Sequence, residues 1–261
     1  MKLKNIFPRV NLILSTQLGF DLPRLFRGAS ALPDYAKDLK SFKSKYKGKL
    51  ILNPCLLDKS EESGSTKSEY FLQDLYVAQK IHKANPRRHL DVGSRVDGFV
   101  AHVASFRDIE VVDIRPTTAV IPGIKFIQAD LMAVSLIHFD AQTDSLSCLH
   151  ALEHFGLGRY GDPINPMGHE LGLKNIAMFL EKSGTLYLSM PVGIERVEFN
   201  SHRVVNPLWL LEYASILNLY LVDLAYINPE GQLVASHDLV KDCGYLTTLS
   251  YSLAIFTFQK K

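Results

Sequence analysis

Cysteine is scarce in this chain: among 261 residues there are only Cys55, Cys148 and Cys243. An odd count, wide separation and no metal-ligand spacing argue against a disulfide framework or a thiolate zinc site, and suggest a reducing, cytoplasmic setting. Long apolar runs are also missing. No uncharged stretch approaches the ~18–20 residues of a membrane span. The short apolar patch from Val10 to Leu14 is broken by Asn11 and is followed by no small-residue cleavage site, so no secretory signal is expected. No internal repeat is visible. With 47% apolar and 21% charged residues the composition is that of a globular protein, which excludes a disordered chain.

Charge is present but unevenly placed. Residues 1–50 hold eleven Lys/Arg against three Asp/Glu and carry +8, while the remainder carries −6. The plainer reading is a solvated surface that pairs with an acidic body. The sharper one is a patch facing a phosphate-bearing substrate or the surface of a membrane, a peripheral contact rather than a span. A stretch rich in Ser, Glu and Gly from Asp58 to Ser68 reads as a linker. The chain therefore divides into a basic extension, 1–67, and one domain, 68–261.

After the linker, helical and strand patterns alternate. Phe71, Leu72, Leu75, Val77, Ala78 and Ile81 form a helical stripe behind a Ser68 cap. Arg88–Gly93, Ile109–Ile114, Lys125–Asp130, Asp144–Leu149 and Thr185–Met190 read as short strands, with helices expected over Asp97–Phe106, Met167–Lys182 and Pro207–Leu217. Leu219–Ile227 and Ser250–Gln259 close the domain as long strands, with no helical pattern between them, which suits an antiparallel last strand. Such alternation implies βαβ units and a mostly parallel sheet covered on both faces.

Ligands of open α/β sheets bind beyond the carboxyl ends of the strands, so the strand ends carry the functional signal. Gly93, lacking a Cβ, lets a ligand approach the backbone. Asp113 can accept from two ribose hydroxyls, and Asp130 from an adenine amino group. A nicotinamide dehydrogenase would show G-x-G-x-x-G. Here the turn reads Gly93-Ser94-Arg95-Val96-Asp97-Gly98 and lacks the middle glycine, although Asp113 has the right spacing. Tyr76-x-x-x-Lys80 matches the short-chain dehydrogenase pair by count but precedes the first strand. Asp130, the second acid, favours S-adenosylmethionine.

These segments, Asp91-Val92-Gly93-Ser94, Asp113-Ile114-Arg115-Pro116 and Ala129-Asp130, resemble the cofactor motifs of class I S-adenosylmethionine-dependent methyltransferases. The block from Ser145 to Pro163, with Leu188–Gly193 and Phe199–Arg203, resembles the bacterial DUF268 family of methyltransferase-like proteins, and the resemblance spans Ser68 to Leu233. It implies a Rossmann-like, seven-stranded sheet with helices on both faces and a helical N-terminal extension. It also implies S-adenosylmethionine held by Asp91, Gly93, Ser94, Arg95, Asp113, Ile114, Asp130, Leu131 and His150. Arg95 stands where a second glycine is usual, so it is a candidate for the methionine carboxylate or the substrate. Members often belong to surface-polysaccharide pathways.

Methyl transfer to oxygen needs an in-line approach, a base and exclusion of water. His150, Glu153 and His154 follow the fourth strand, and His202 follows the fifth, slightly favoured over His154 as base. A Glu–His pair can hold a divalent ion, but two ligands are a weak signal, and no metal is assigned. Tyr70, Gln73, Arg159, Tyr160, Asn200 and Arg203 are candidates for the acceptor. Arginine grips phosphate through a two-pronged fork. The resulting expectation is an O-methyltransferase acting on a carbohydrate or on a phosphate- or phosphoramidate-bearing glycan precursor. A nicotinamide-dependent sugar-nucleotide enzyme and a degenerate binding protein of the same fold are the rivals. Nucleic acid is disfavoured, because the basic excess lies away from the crevice motifs.

Overall fold

A computed structural model describes residues 6–133 and 142–261, divided into a unit up to Ser65 and a unit from Thr66 to Lys261. The first unit holds α1 (Ile6–Leu18) and α2 (Leu22–Lys45). The Asp21 side chain caps α2 by accepting from the Arg24 amide at 3.0 Å, and Asn11 Oδ1 accepts from the Leu22 amide at 3.2 Å, joining the two helices. No residue of α2 is buried.

The second unit is α3 (Glu69–Ala84), β1 (His89–Val92), α4 (Ala101–Ala104), β2 (Ile109–Asp113), β3 (Ile124–Gln128), β4 (Thr143–Leu149), α5 (Gly168–Phe179), β5 (Leu180–Val192), β6 (Arg196–Glu198), β7 (His202–Val204), α6 (Pro207–Ile216), β8 (Leu219–Ile227), β9 (Leu233–Ala235), α7 (Leu239–Leu246) and β10 (Ser252–Lys260). One eight-stranded sheet runs β3-β2-β1-β4-β5-β10-β8-β9, and β6 and β7 pair separately. The seven expected strands are present, and the three-residue β9 adds an eighth at the edge. β1 to β5 are parallel, and β10 lies antiparallel between β5 and β8.

Alternation along the strands builds a core on each face. Val77, Ala78 and Ile81 of α3 and Val103 of α4 meet Val111, Tyr187 and Ile255 on one side. Leu173, Ile176, Leu210 and Leu246, from α5, α6 and α7, meet Val112, Leu188, Phe256 and Phe258 on the other. Strand order reverses where β1 lies between β2 and β4, and this opens the crevice.

Three expected elements differ. The Asp97–Phe106 helix is a wide π-turn over Val96–Val100 followed by the single turn of α4, because Gly98 breaks helical geometry. The Met167–Lys182 helix stops at Phe179, and β5 begins at Leu180, whose side chain is fully buried. The stretch Asn228–Thr248 contains β9 and α7, the latter capped by Asp238 accepting from the Lys241 amide at 3.0 Å.

Phe256 is fully buried in the strand that joins the parallel and antiparallel parts of the sheet. Truncation there leaves a cavity that packed neighbours cannot fill. Phe256→Ala is expected to lower the unfolding free energy by about 3–5 kcal/mol, measured by urea denaturation of the full chain.

Candidate active site

The turn after β1 is shaped from beneath. Asp91 is fully buried and accepts at Oδ1 from the Ser94 hydroxyl (2.8 Å) and the Ser147 hydroxyl, and at Oδ2 from the Ser94 amide (3.1 Å). Burial pushes its pKa up to about 7 against those hydrogen bonds. Asp91 and Ser94 were expected to touch the cofactor. The structure instead turns both inward, because β1 is covered on both faces and the carboxylate must be satisfied from within. Their role here is to fix the turn. Gly93 has φ +72°, and a Cβ on it would lie 2.8 Å from that of Ala151, so the turn and the β4 loop meet only at glycine. Arg95 also departs from expectation. It points to the surface and pairs with Asp97 (2.8 Å).

The crevice is lined by Gly93, Asp113, Ile114, Asp130, Leu131, His150, His154 and Tyr160, among others. Its middle is apolar, made by Val92, Val112, Ala129 and Phe155. Asp113 ends β2 and accepts from the Arg115 amide (2.8 Å) and from the Arg115 guanidinium, whose Nε is 3.0 Å away. The same guanidinium lies 4.6 Å from the centre of the Tyr160 ring, and that of Arg159 lies 5.2 Å from it. Asp130 accepts from the Met132 amide at 2.8 Å, and the Leu131 carbonyl accepts from Asn175.

At the end of β4, the backbone of His150 is left-handed (φ 52°) and its amide donates to the Ser189 carbonyl at 3.1 Å. Its Nδ1 is 2.6 Å from Glu153 Oε1, and its Nε2 is 3.4 Å from Glu69 Oε1. Burial pulls the imidazole pKa down, but the two carboxylates outweigh it and hold it at about 9. Glu153 has no exposed surface. Burial drives its pKa up, and the neighbouring imidazolium more than reverses this. The Tyr70 ring packs on His150 with centroids 4.6 Å apart. Glu69 also accepts from the Tyr251 hydroxyl at 2.8 Å. Neither Glu69 nor Tyr251 stood out in the sequence, since each comes from a segment remote from β4 and carries no local motif.

His154 is held differently. Its Nδ1 lies 2.7 Å from the Ser201 carbonyl, which can only accept, so the ring proton sits on Nδ1 and Nε2 keeps its lone pair, 3.7 Å from Glu153 Oε1. Burial lowers its pKa. Arg159 donates to the same Ser201 carbonyl at 2.9 Å. His202 does not line the crevice. Its Nδ1 is 2.9 Å from the Ser201 hydroxyl, and its ring meets Tyr251 edge-on. Asn200 is exposed on the β6–β7 turn.

Two acceptor candidates are corrected. Gln73 is buried, giving its amide to Asp74 (2.9 Å) and accepting from the Ser189 hydroxyl. It faces the sheet because it lies on the inner side of α3. Arg203 is 4% exposed. Its Nη1 donates to the carbonyls of Glu153 (3.1 Å) and Phe155 (2.6 Å), and its Nη2 to those of Asn165 (3.4 Å) and Pro166 (3.1 Å). Its fork grips the loop, not a phosphate. Asp162 closes the same loop by accepting from the Gly156, Gly158 and Tyr160 amides.

The family model described as "Caenorhabditis protein of unknown function, DUF268" matches residues 123–215. The resemblance read from the sequence thus holds from β3 to α6, which includes Asp130, the His150–Glu153–His154 cluster and Arg203, and the matched stretch begins after Asp113. No curated protein matches the sequence. Among solved structures, the 1,6-didemethyltoxoflavin-N1-methyltransferase of Burkholderia thailandensis, with bound 1,6-didemethyltoxoflavin and S-adenosylhomocysteine, aligns over 87% of this chain and 89% of its own, at 15% identity and a TM-score of 0.51. An O-methyltransferase from a trans-AT PKS multienzyme of Brevibacillus brevis, in complex with S-adenosyl-L-homocysteine, aligns over 72% and 71%, at 15% identity and a TM-score of 0.50. The chain has the class I methyltransferase fold. In that fold the β1–β4 reversal and its crevice lie at the carboxyl ends of the strands, as described above.

Two outcomes follow from this geometry. Arg203→Ala leaves buried carbonyls without donors and is expected to cost at least about 3 kcal/mol, given ~1–3 kcal/mol for each unsatisfied buried group. Arg203→Lys recovers little, since an ammonium cannot fork to four acceptors. Urea denaturation, with proteolysis between 153 and 166, measures both. His150, raised from about 6.5 in the unfolded chain, contributes stability that is complete below that pH and is lost as pH rises through about 9. The stability gap between wild type and His150→Gln should therefore close between those limits.

Proposed function

We propose that this chain is an S-adenosylmethionine-dependent O-methyltransferase whose acceptor is a hydroxyl on a carbohydrate precursor of a bacterial surface polysaccharide. The reading rests on one observation: the crevice at the carboxyl ends of β1, β2 and β4 is lined by Gly93, Asp113 and Asp130 and also by His154, whose Nδ1 lies 2.7 Å from the Ser201 carbonyl. The apolar middle of the crevice suits a flat base, and Asp130, with Asp113 where it shares its carboxylate with Arg115, suits amino and ribose hydrogens, so the residues present fit the cofactor. Bound there, it supplies an electrophilic methyl group on a sulfonium.

The chain's own residues do the rest. Asp113 accepts from ribose hydroxyls, and Asp130 with Leu131 frames the base. His154 is the general base. Burial lowers its pKa and keeps it neutral at pH 7, and the Ser201 carbonyl fixes its tautomer, so Nε2 would take the proton of the acceptor hydroxyl. Glu153 stabilises the resulting imidazolium from 3.7 Å, while His150 holds Glu153 in place. The geometry supports His154 over His202. Tyr70 and Tyr160 wall the acceptor side. With Arg203 committed to the loop, a phosphate- or phosphoramidate-bearing acceptor depends on Arg159, and a neutral sugar hydroxyl is the favoured form. The free thiols of Cys55, Cys148 and Cys243 support a cytoplasmic setting.

Asp113→Ala should weaken S-adenosylmethionine binding by about 1.5–3 kcal/mol in calorimetry, the range for hydrogen bonds to a charged group. NADH binding with no S-adenosylmethionine binding would sink the reading. His154→Ala should lower kcat by about 10²–10⁴-fold with cofactor affinity little changed. Because burial depresses its pKa, the wild-type rate should stay level through pH 7 and fall only below about 6.5. An unaltered rate in His154→Ala would remove it from the mechanism.

A further inference from the structure

We infer that α2 of the N-terminal unit docks the protein on an anionic lipid surface, its apolar stripe entering the headgroup region and its lysines and arginines meeting the lipid phosphates. This does not depend on the methyltransferase reading.

Helix α2 runs for 24 residues without one buried side chain. Helices of folded proteins normally bury a stripe, and this one has a stripe to bury. Leu22, Leu25, Phe26, Ala29, Leu32, Ala36 and Leu39 recur at helical spacing of three and four. Leu25 and Phe26 are 67% and 71% exposed, and Leu32 is 50% exposed. Phe20, just before the helix, is 67% exposed.

Charge selects what covers this face. Within α2 there are Arg24, Arg27, Lys37, Lys40, Lys43 and Lys45 against Asp34 and Asp38, and Lys47 and Lys49 follow. The unit is therefore cationic as well as apolar. A second copy of the same helix would bring like charges together. A nucleic acid would satisfy the cations and leave Leu25 and Phe26 in water. A bilayer with anionic headgroups satisfies both at once, as basic amphipathic helices do. Among the described residues no helix is long and apolar enough to cross a membrane; the contact inferred here is a peripheral one.

The experiment is flotation of the full chain with vesicles of phosphatidylcholine alone and of phosphatidylcholine mixed with phosphatidylglycerol. The protein should float with the mixed vesicles only, and the bound fraction should fall as sodium chloride shortens the screening length below ~8–10 Å. L25S/F26S and K40E/K43E should each reduce the partition coefficient at least tenfold. Since none of these side chains is buried, circular dichroism and thermal melting of both variants should match wild type. No binding, equal binding to both vesicles, or unchanged binding in both variants would overturn the proposal. So would light scattering that shows a dimer converted to monomer by L25S/F26S, which would make the face a self-interface.

Discussion

The guanidinium of Arg203 holds the segment from Glu153 to Pro166 against β7. One planar group donates to four backbone carbonyls, and that of Asn165 also accepts from the Gly168 amide at the start of α5. A loop of this length, irregular and rich in glycine, would otherwise have to leave its polar backbone in water. Pinned in this way, it can carry His154 into the crevice and bring Tyr160 over the end of β2. The close approach of Gly156, where a Cβ would fall 2.0 Å from the Asn165 carbonyl oxygen, is the same constraint seen from the other side of the loop.

Above that support lies a chain of ions, two of them buried and Glu69 half-buried. Glu69, His150 and Glu153 share one excess negative charge when His150 is protonated, and the tyrosines Tyr70 and Tyr251 close the cluster with polarisable rings and a hydroxyl donor. Buried charges persist only when paired, and removing one partner costs more than the pair contributes. The cluster draws on α3, on the loop after β4 and on Tyr251, just before β10. It therefore ties the first helix of the fold to the strand ends, and its geometry fixes where Glu153 stands relative to His154.

Much of the fold was legible because its signals are local. Runs such as Ile109–Asp113 and Thr185–Met190 are β-branched or apolar and end at punctuation, and Asp113, Asp130 and Gly93 sit at strand ends where alternation puts them. Helix α7 was missed although Asp238 caps it and Leu239, Cys243 and Leu246 keep helical spacing, because eight residues give too short a pattern to stand out. In the site, residue type was legible and direction was not. Arg203 in a three-residue strand can face either way, and only tertiary structure turns it inward. Gln73 is polar on the buried side of α3, a position that its neighbours in sequence do not reveal.

The fork between Arg115 and Asp113 has a consequence for the traffic of ligands. Anything that settles on Asp113 must displace or share a partner already in place, so its measured affinity is an exchange between two occupants rather than a simple capture. The Arg115 guanidinium also lies over the face of Tyr160, 4.6 Å from the ring centre. The crevice thus carries its own competitor, a guanidinium tethered two residues from the carboxylate it occupies.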